Sequence, residues 1–305
     1  MKKFIYTTIA LGLSYLSFGQ QLTFNSQYML NPYLINPAAA GTNEKVNIAT
    51  SFRQQWAGFN DAPRTQMIAF NMLAGDNMGV GGTIYNDVTG PLRNIGLTGS
   101  YAYHLDINND SKISFGLSLS LTQHVLDANS FVLNDEVDAT LNSGNMKSLN
   151  PDAAFGVQYF GEKFHIGIAA PQLIENKYKF GNDFEEINRH VRHYYLTGAY
   201  RFEINNELEI EPSNLLKYTP AAPFQFDINA RLIYSKAMWV GLSYRDRASM
   251  VAMVGMERGQ FKIGYSYDYV VSNIRNYSGG THELYLSFVI KQGSSRSSFG
   301  HGSVQ

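Results

Sequence analysis

Seven histidines and no cysteine set the chemistry open to this chain. Without a thiol there is no disulfide framework, thiolate metal site or cysteine nucleophile. Serine is plentiful, but a serine nucleophile needs a paired base, and no serine lies in a Gly-x-Ser-x-Gly turn. His104, His124, His165, His190, His193 and His282 are scattered, and His301 falls near the end. His190 and His193 stand three apart at the entry to a predicted strand, which puts them on opposite faces and argues against a shared metal. Asp106-Ile107-Asn108-Asn109-Asp110 has part of a calcium loop's spacing but lacks the glycine and distal glutamate, so it reads as a turn. The expectation is a non-enzymatic protein with no catalytic residue, no metal and no cofactor.

Two further polar sets remain. Asp127, Asp135, Glu136 and Asp138 fall in a long connection, 125–150, and read as solvated loop surface. Arg53, Arg201, Arg231, Arg245 and Lys262, with Asp227, Asp268 and Glu283, occupy the polar positions of alternating segments. By parity these eight share one face, where mixed charges pair with one another, line a water-filled channel or hold a peptide.

The elements that would position them are strands. Ile113, Phe115, Leu117, Leu119 and Leu121 alternate with Ser114, Gly116, Ser118 and Ser120, a period of two that no helix produces. The same pattern recurs, most clearly in Phe226-Asp227-Ile228-Asn229-Ala230-Arg231-Leu232, in 238–245, in 261–268 and in 283–290. With weaker candidates at 65–72, 78–86, 208–217 and 249–256, the count is about fourteen strands of roughly ten residues, the length of a tilted outer-membrane strand.

Alternation alone fits a soluble sandwich or a membrane barrel. Three features favour the barrel. The polar faces are rich in Gly, Ser and Ala, which suit a crowded interior. Strands end in aromatics, as in Tyr101 with Tyr103 and Tyr265 with Tyr267, which suit the lipid–water interface. Short links (73–77, 106–111, 161–162, 204–207, 235–236, 257–259) alternate with longer ones (57–64, 87–92, 125–150, 171–189, 218–224, 271–280), with Asp246–Ala248 short on the long side. Tight periplasmic turns and long outer loops are the rule for such barrels, and an even strand count leaves both ends of the barrel in the periplasm.

The chain is expected to divide into a secretion signal (1–19), an irregular segment (20–44), the barrel (45–291) and a Ser/Gly-rich tail (292–305). Lys2 and Lys3 precede the apolar run Phe4–Leu16, with Ser17 and Gly19 as small residues at the cleavage end. Pro32 and Pro37 bar 20–44 from acting as a ladder strand, so it becomes a lumenal plug or lines the periplasmic mouth. A formal net charge of −1 offers no electrostatic case for nucleic acid.

Asn36-Pro37-Ala38 with Gly41, followed by Arg53-Gln54-Gln55-Trp56 and then Ala62-Pro63 with Thr65, resembles the N-terminal signature of the PorP/SprF family. The general character of that family runs over nearly the whole chain after the signal. The resemblance implies an outer-membrane protein of Bacteroidetes-type bacteria that serves type IX secretion and gliding. It implies as partners a large secreted cell-surface adhesin, bound through its C-terminal domain, other type IX secretion components and a periplasmic peptidoglycan-binding protein, with outer-membrane lipid around the barrel. The competing reading is a diffusion channel or hydrophobic-solute transporter with residues 20–44 as its plug.

Overall fold

A computed structural model describes residues 25–43, 45–130, 145–178, 188–220 and 222–291. The expected signal, the expected tail, and Asp135, Glu136 and Asp138 lie outside the described residues.

Fourteen antiparallel strands form one sheet. They are β1 (Lys45–Gln54), β2 (Arg64–Leu73), β3 (Met78–Thr89), β4 (Leu92–Asn108), β5 (Ser111–Asp127), β6 (Asn145–Gly161) and β7 (Phe164–Ala170). Then come β8 (Tyr194–Tyr200, continued by Phe202–Glu203), β9 (Leu208–Thr219), β10 (Ala222–Tyr234), β11 (Met238–Arg245), β12 (Ser249–Arg258), β13 (Phe261–Val270) and β14 (Thr281–Lys291). Each pairs with its neighbours in sequence, and β1 pairs with β14 from Lys45↔Lys291 to Gln54↔His282, so the sheet closes on itself. Closure leaves no strand edge unpaired at membrane depth, where an open N–H or C=O costs several kcal/mol, of order 2–7.

The two faces of this sheet invert the arrangement of a soluble protein. Leu119 is 65% exposed and Leu242 70%, whereas Asp227 and Glu283 are 0% exposed. Along β11 the burial alternates residue by residue, with Met238, Val240, Leu242 and Tyr244 outside and Trp239, Gly241 and Ser243 inside. Apolar side chains turned out and polar ones turned in fit a wall between lipid and a crowded lumen, and exclude a sandwich with an apolar core. No helix among the described residues is long and apolar enough to cross a membrane.

Strand lengths depart from the ten residues expected. β4, β5 and β6 each run for 17 residues. The connection expected over 125–150 is therefore narrower at both ends, and Asp127 is the last residue of β5 rather than a loop residue. The outer end of β6, with its Asn, Ser and Pro151, carries too little apolar alternation to be read as strand, yet cross-strand pairing with β5 orders it from Asp127↔Asn145 inward. The link expected at 87–92 is in fact the two-residue turn 90–91, and the one expected at 218–224 is narrowed on both sides, because β3, β4, β9 and β10 all extend further. His190 and His193 precede β8, which begins at Tyr194, so they belong to the connection and not to a strand. Asp106 to Asn108 lie in β4, and the turn is only Asn109–Asp110, closed by Asp110 N–H on the Asn108 side chain at 3.0 Å.

Residues 25–43 form three short 3-10 turns, Tyr28–Leu30, Pro32–Leu34 and Pro37–Ala39, and most of these residues are buried. Their contacts reach opposite walls: Tyr28 to Asn229 on β10, Tyr33 to Ser100 on β4, and Asn31 to Asn71 on β2. The segment thus crosses the lumen.

Candidate functional site

The site is the barrel interior where this segment meets the inward-facing side chains. Asn36 starts the third 3-10 turn, accepting the Ala38 N–H at 3.0 Å, while Pro37 fits the first helical position, where no N–H is needed. The Asn36 amide also donates to the carbonyls of Val157 on β6 (3.2 Å) and Ile168 on β7 (3.3 Å).

The wall is shaped to receive this turn. Gly116, Gly156 and Gly167 face inward on β5, β6 and β7. A Cβ on Gly116 would overlap Ala38 and Pro37, one on Gly156 the Asn36 side chain, and one on Gly167 would come 2.7 Å from the Asn36 amide nitrogen. A Cβ on Gly79 of β3 would overlap the Ala40 carbonyl. Four bare positions on four strands make the groove in which Asn36–Ala40 lies. Gly41, with φ +74°, turns the chain out of this groove toward β1.

The other end of the segment is held by charge. Glu283 accepts the backbone N–H of Ser26 at 2.6 Å and of Gln27 at 3.0 Å. Ser26 donates its hydroxyl to Asp268 at 2.6 Å and accepts from Arg53 at 2.5 Å. Arg53 lies 2.9 Å from Asp268 and 3.2 Å from Glu283. The network continues through Arg245, 3.6 Å from Asp268 and 3.4 Å from Asp227, to Lys217, 3.1 Å from Asp227. Three cations and three carboxylates thus alternate around the loop end of the lumen, and burial is tolerated because each charge has an opposite neighbour.

A second charge group lies at the turn end. Arg231 pairs with Glu211 at 2.6 Å and stands over the Trp239 ring, 5.9 Å from its centre. Arg201 reaches Glu211 at 2.8 Å and Glu209 at 3.8 Å, and Lys262 reaches Glu257 at 3.0 Å. Between these side chains and the interior segment is a cavity of about 950 Å3, open toward the short turns and lined also by Leu30, Asn47, Lys112 and Phe160. At its rim the carboxylate of Glu203, 3.1 Å away, raises the Lys163 ammonium above its ordinary value.

The eight charged residues chosen by parity therefore all face inward but fall into two separate groups. Arg53, Asp227, Arg245, Asp268 and Glu283 meet at the loop end, whereas Arg201, Arg231 and Lys262 sit at the turn end. Gln54, Gln55 and Trp56 are not in the interior network. Gln55 N–H donates to the Pro63 carbonyl at 2.9 Å, closing the β1–β2 loop, and Gln54 donates to the Gln55 carbonyl at 3.2 Å. Trp56 adopts φ +45° and donates its N–H to Thr281 at 3.3 Å, tying that loop to the start of β14.

Sequence reasoning passed over Ser26, Gln27, Lys217, Glu209, Glu211 and Glu257. Parity within β9 would have put Glu209, Glu211 and Lys217 on the inward face, and inward glycines on neighbouring strands would have marked the groove. His190 lies 3.5 Å from Asp152 with its ring beside His124, and His193 lies 2.9 Å from Gln172. Among the described residues no group of three His, Asp or Glu side chains comes together to hold a metal ion.

The barrel is similar in fold to the toluene transporter TbuX of Ralstonia pickettii, with a TM-score of 0.50 and 12% identity over 90% of this chain and 96% of that one. A FadL homologue of Pseudomonas aeruginosa aligns with a TM-score of 0.49 and 13% identity over 84% of this chain and 92% of that one. No curated protein matches the sequence. The model of the family described as type IX secretion system membrane protein PorP/SprF matches residues 17–288. That match spans the interior segment and all but the last three residues of β14, and with the closed barrel it places the chain in the outer membrane as a member of the PorP/SprF family of type IX secretion system membrane proteins.

Proposed function

We propose that this barrel is a non-enzymatic anchor that holds a large secreted surface protein by its C-terminal domain and helps to secrete or attach it, in company with other type IX secretion components and a periplasmic peptidoglycan-binding protein. Membership of the family supports the secretion setting. The observation that carries the anchor over a channel is the hold on the interior segment. Glu283 grips the amides of Ser26 and Gln27 at one end, and Asn36 is wedged among Gly116, Gly156 and Gly167 at the other. A lumen crossed by a segment fixed at both ends acts as a septum, so residues 25–43 serve as a plug that stays in place. What the barrel holds then binds outside the lumen or at its mouths.

The rival reading, a channel for hydrophobic or polar solutes, needs a path past that segment. Planar-bilayer recording on the purified protein separates the two. The anchor reading expects no steady current, and a stable open-pore current would contradict it.

A further inference from the structure

The outer boundary of the apolar band differs between two sides of the barrel. On one side four strands bring an exposed tyrosine to their loop ends: Tyr194 on β8, Tyr218 on β9, Tyr244 on β11 and Tyr269 on β13. Such residues make the aromatic girdle at the lipid–water interface. On β2, β3 and β4 no aromatic side chain stands outward at the loop end. There Ile68, Ile84 and Leu97 form one outward row in register, each more than half exposed. Two residues nearer the loops the row is Gln66, Asn86 and Ile95, and two nearer again it is Arg64, Val88 and Arg93. The wall thus passes from hydrocarbon to amide to guanidinium within four residues.

Arg64 and Arg93 are both exposed, and among the described residues neither forms an ion pair. Two strand spacings put their Cα atoms about 9–10 Å apart along the row. Strand tilt sets Arg93 about 6 Å further out than Arg64. Asn86 offsets this difference. Its side-chain oxygen accepts from the Arg93 Nε at 2.7 Å, which draws that guanidinium back toward the membrane and over β3. The bond occupies Nε alone and leaves both terminal nitrogens of Arg93 free to donate, beside the whole fork of Arg64. Gln66, exposed and in register with Asn86, adds an amide donor on the membrane side. Val88, between the two arginines, is short and apolar and competes for neither.

We propose that Arg64 and Arg93, with Gln66 and Asn86, form a binding site on the outer wall for a phosphorylated glycolipid of the outer leaflet. The two guanidinium groups close on its phosphate above Val88, and its acyl chains lie along Ile68, Ile84 and Leu97. Charge complementarity selects the ligand: a guanidinium fork matches phosphate oxygens two at a time, and no carboxylate competes for either arginine. Depth selects the lipid over a dissolved anion. The arginines stand just past the last fully apolar row, at headgroup level, and the isoleucines and Leu97 below them face hydrocarbon. The missing tyrosines follow from the same arrangement, since an aromatic at Gln66 or Asn86 would fill the place of the headgroup.

The test titrates the purified full-length barrel in mild detergent with phosphorylated lipid A, and with the same lipid stripped of phosphate, and counts bound lipid by native mass spectrometry. Heat-modifiable migration on gels shows that each variant has folded. The double variant Arg64→Gln with Arg93→Gln removes the site. Arg247→Gln with Arg275→Gln removes the same charge from exposed positions in the β11–β12 and β13–β14 loops. The wild-type barrel is expected to bind the phosphorylated lipid at least tenfold better than the stripped one. That preference is expected to vanish in R64Q/R93Q, to stay within twofold of wild type in R247Q/R275Q, and to weaken as salt rises. Equal binding of the two lipids by wild type, or equal loss in the two double variants, overturns the proposal. Displacement of the lipid by inorganic phosphate at equal concentration overturns it too, since the site would then hold a dissolved anion.

Discussion

Arg53 and Glu283 face each other across the seam that closes the barrel, in register between β1 and β14 and 3.2 Å apart. The same pair holds the interior segment: Glu283 takes the Ser26 and Gln27 amides, and Arg53 donates to the Ser26 hydroxyl. Closing the wall and fixing the interior segment thus rest on the same pair, and within the family-like Arg53-Gln54-Gln55-Trp56 stretch it is Arg53 that reaches the lumen.

Removing Arg53 leaves two buried carboxylates, Asp268 and Glu283, without their shared cation. Arg53→Ala is expected to destabilise the barrel by about 3–5 kcal/mol. Urea unfolding of the refolded protein in lipid vesicles measures this. A loss below about 1 kcal/mol, the value of an exposed pair, would mean that the network carries no such load.

The groove for Asn36 leaves no room for a side chain. Gly156→Ala is expected to cost about 1–3 kcal/mol by overpacking and to expose residues 25–43 to added protease. Gly99, where a Cβ meets nothing, serves as the comparison, and Gly99→Ala is expected to leave the segment protected. Equal protease sensitivity in the two variants would show that the segment does not depend on this groove.

Leu242, near the middle of β11 and 70% exposed, is expected to face lipid. Leu242→Arg is expected to cost about 2–4 kcal/mol in a bilayer, the value for a cation on the lipid face near the midplane. Unfolding in vesicles reads this directly. A neutral effect would place that face in water.

The outward face was legible because lipid demands apolar side chains at every second position, as in Ile113 to Leu121, so strand number and parity followed from period two alone. The outer ends of β4, β5 and β6 were not legible. Beyond the membrane neither face has to be apolar, and Asn150-Pro151-Asp152 reads as a loop until pairing with β5 orders it. Pro32 and Pro37 argue against a ladder strand before β1, but where that segment lies depends on Gly79, Gly116, Gly156 and Gly167, which sit on four separate strands. Parity placed Asp227 and Arg201 on one face without showing that they sit at opposite ends, because a period of two tells the face and not the depth along the strand.

If this barrel holds a secreted surface protein, as we propose, the two should leave the membrane together. The most direct test is mild-detergent recovery of the tagged barrel from native outer membranes, with mass spectrometry of everything retained. One large surface protein in stoichiometric amount is expected, lost when that protein's C-terminal domain is deleted. A barrel recovered alone, or one whose partner persists without that domain, would contradict it.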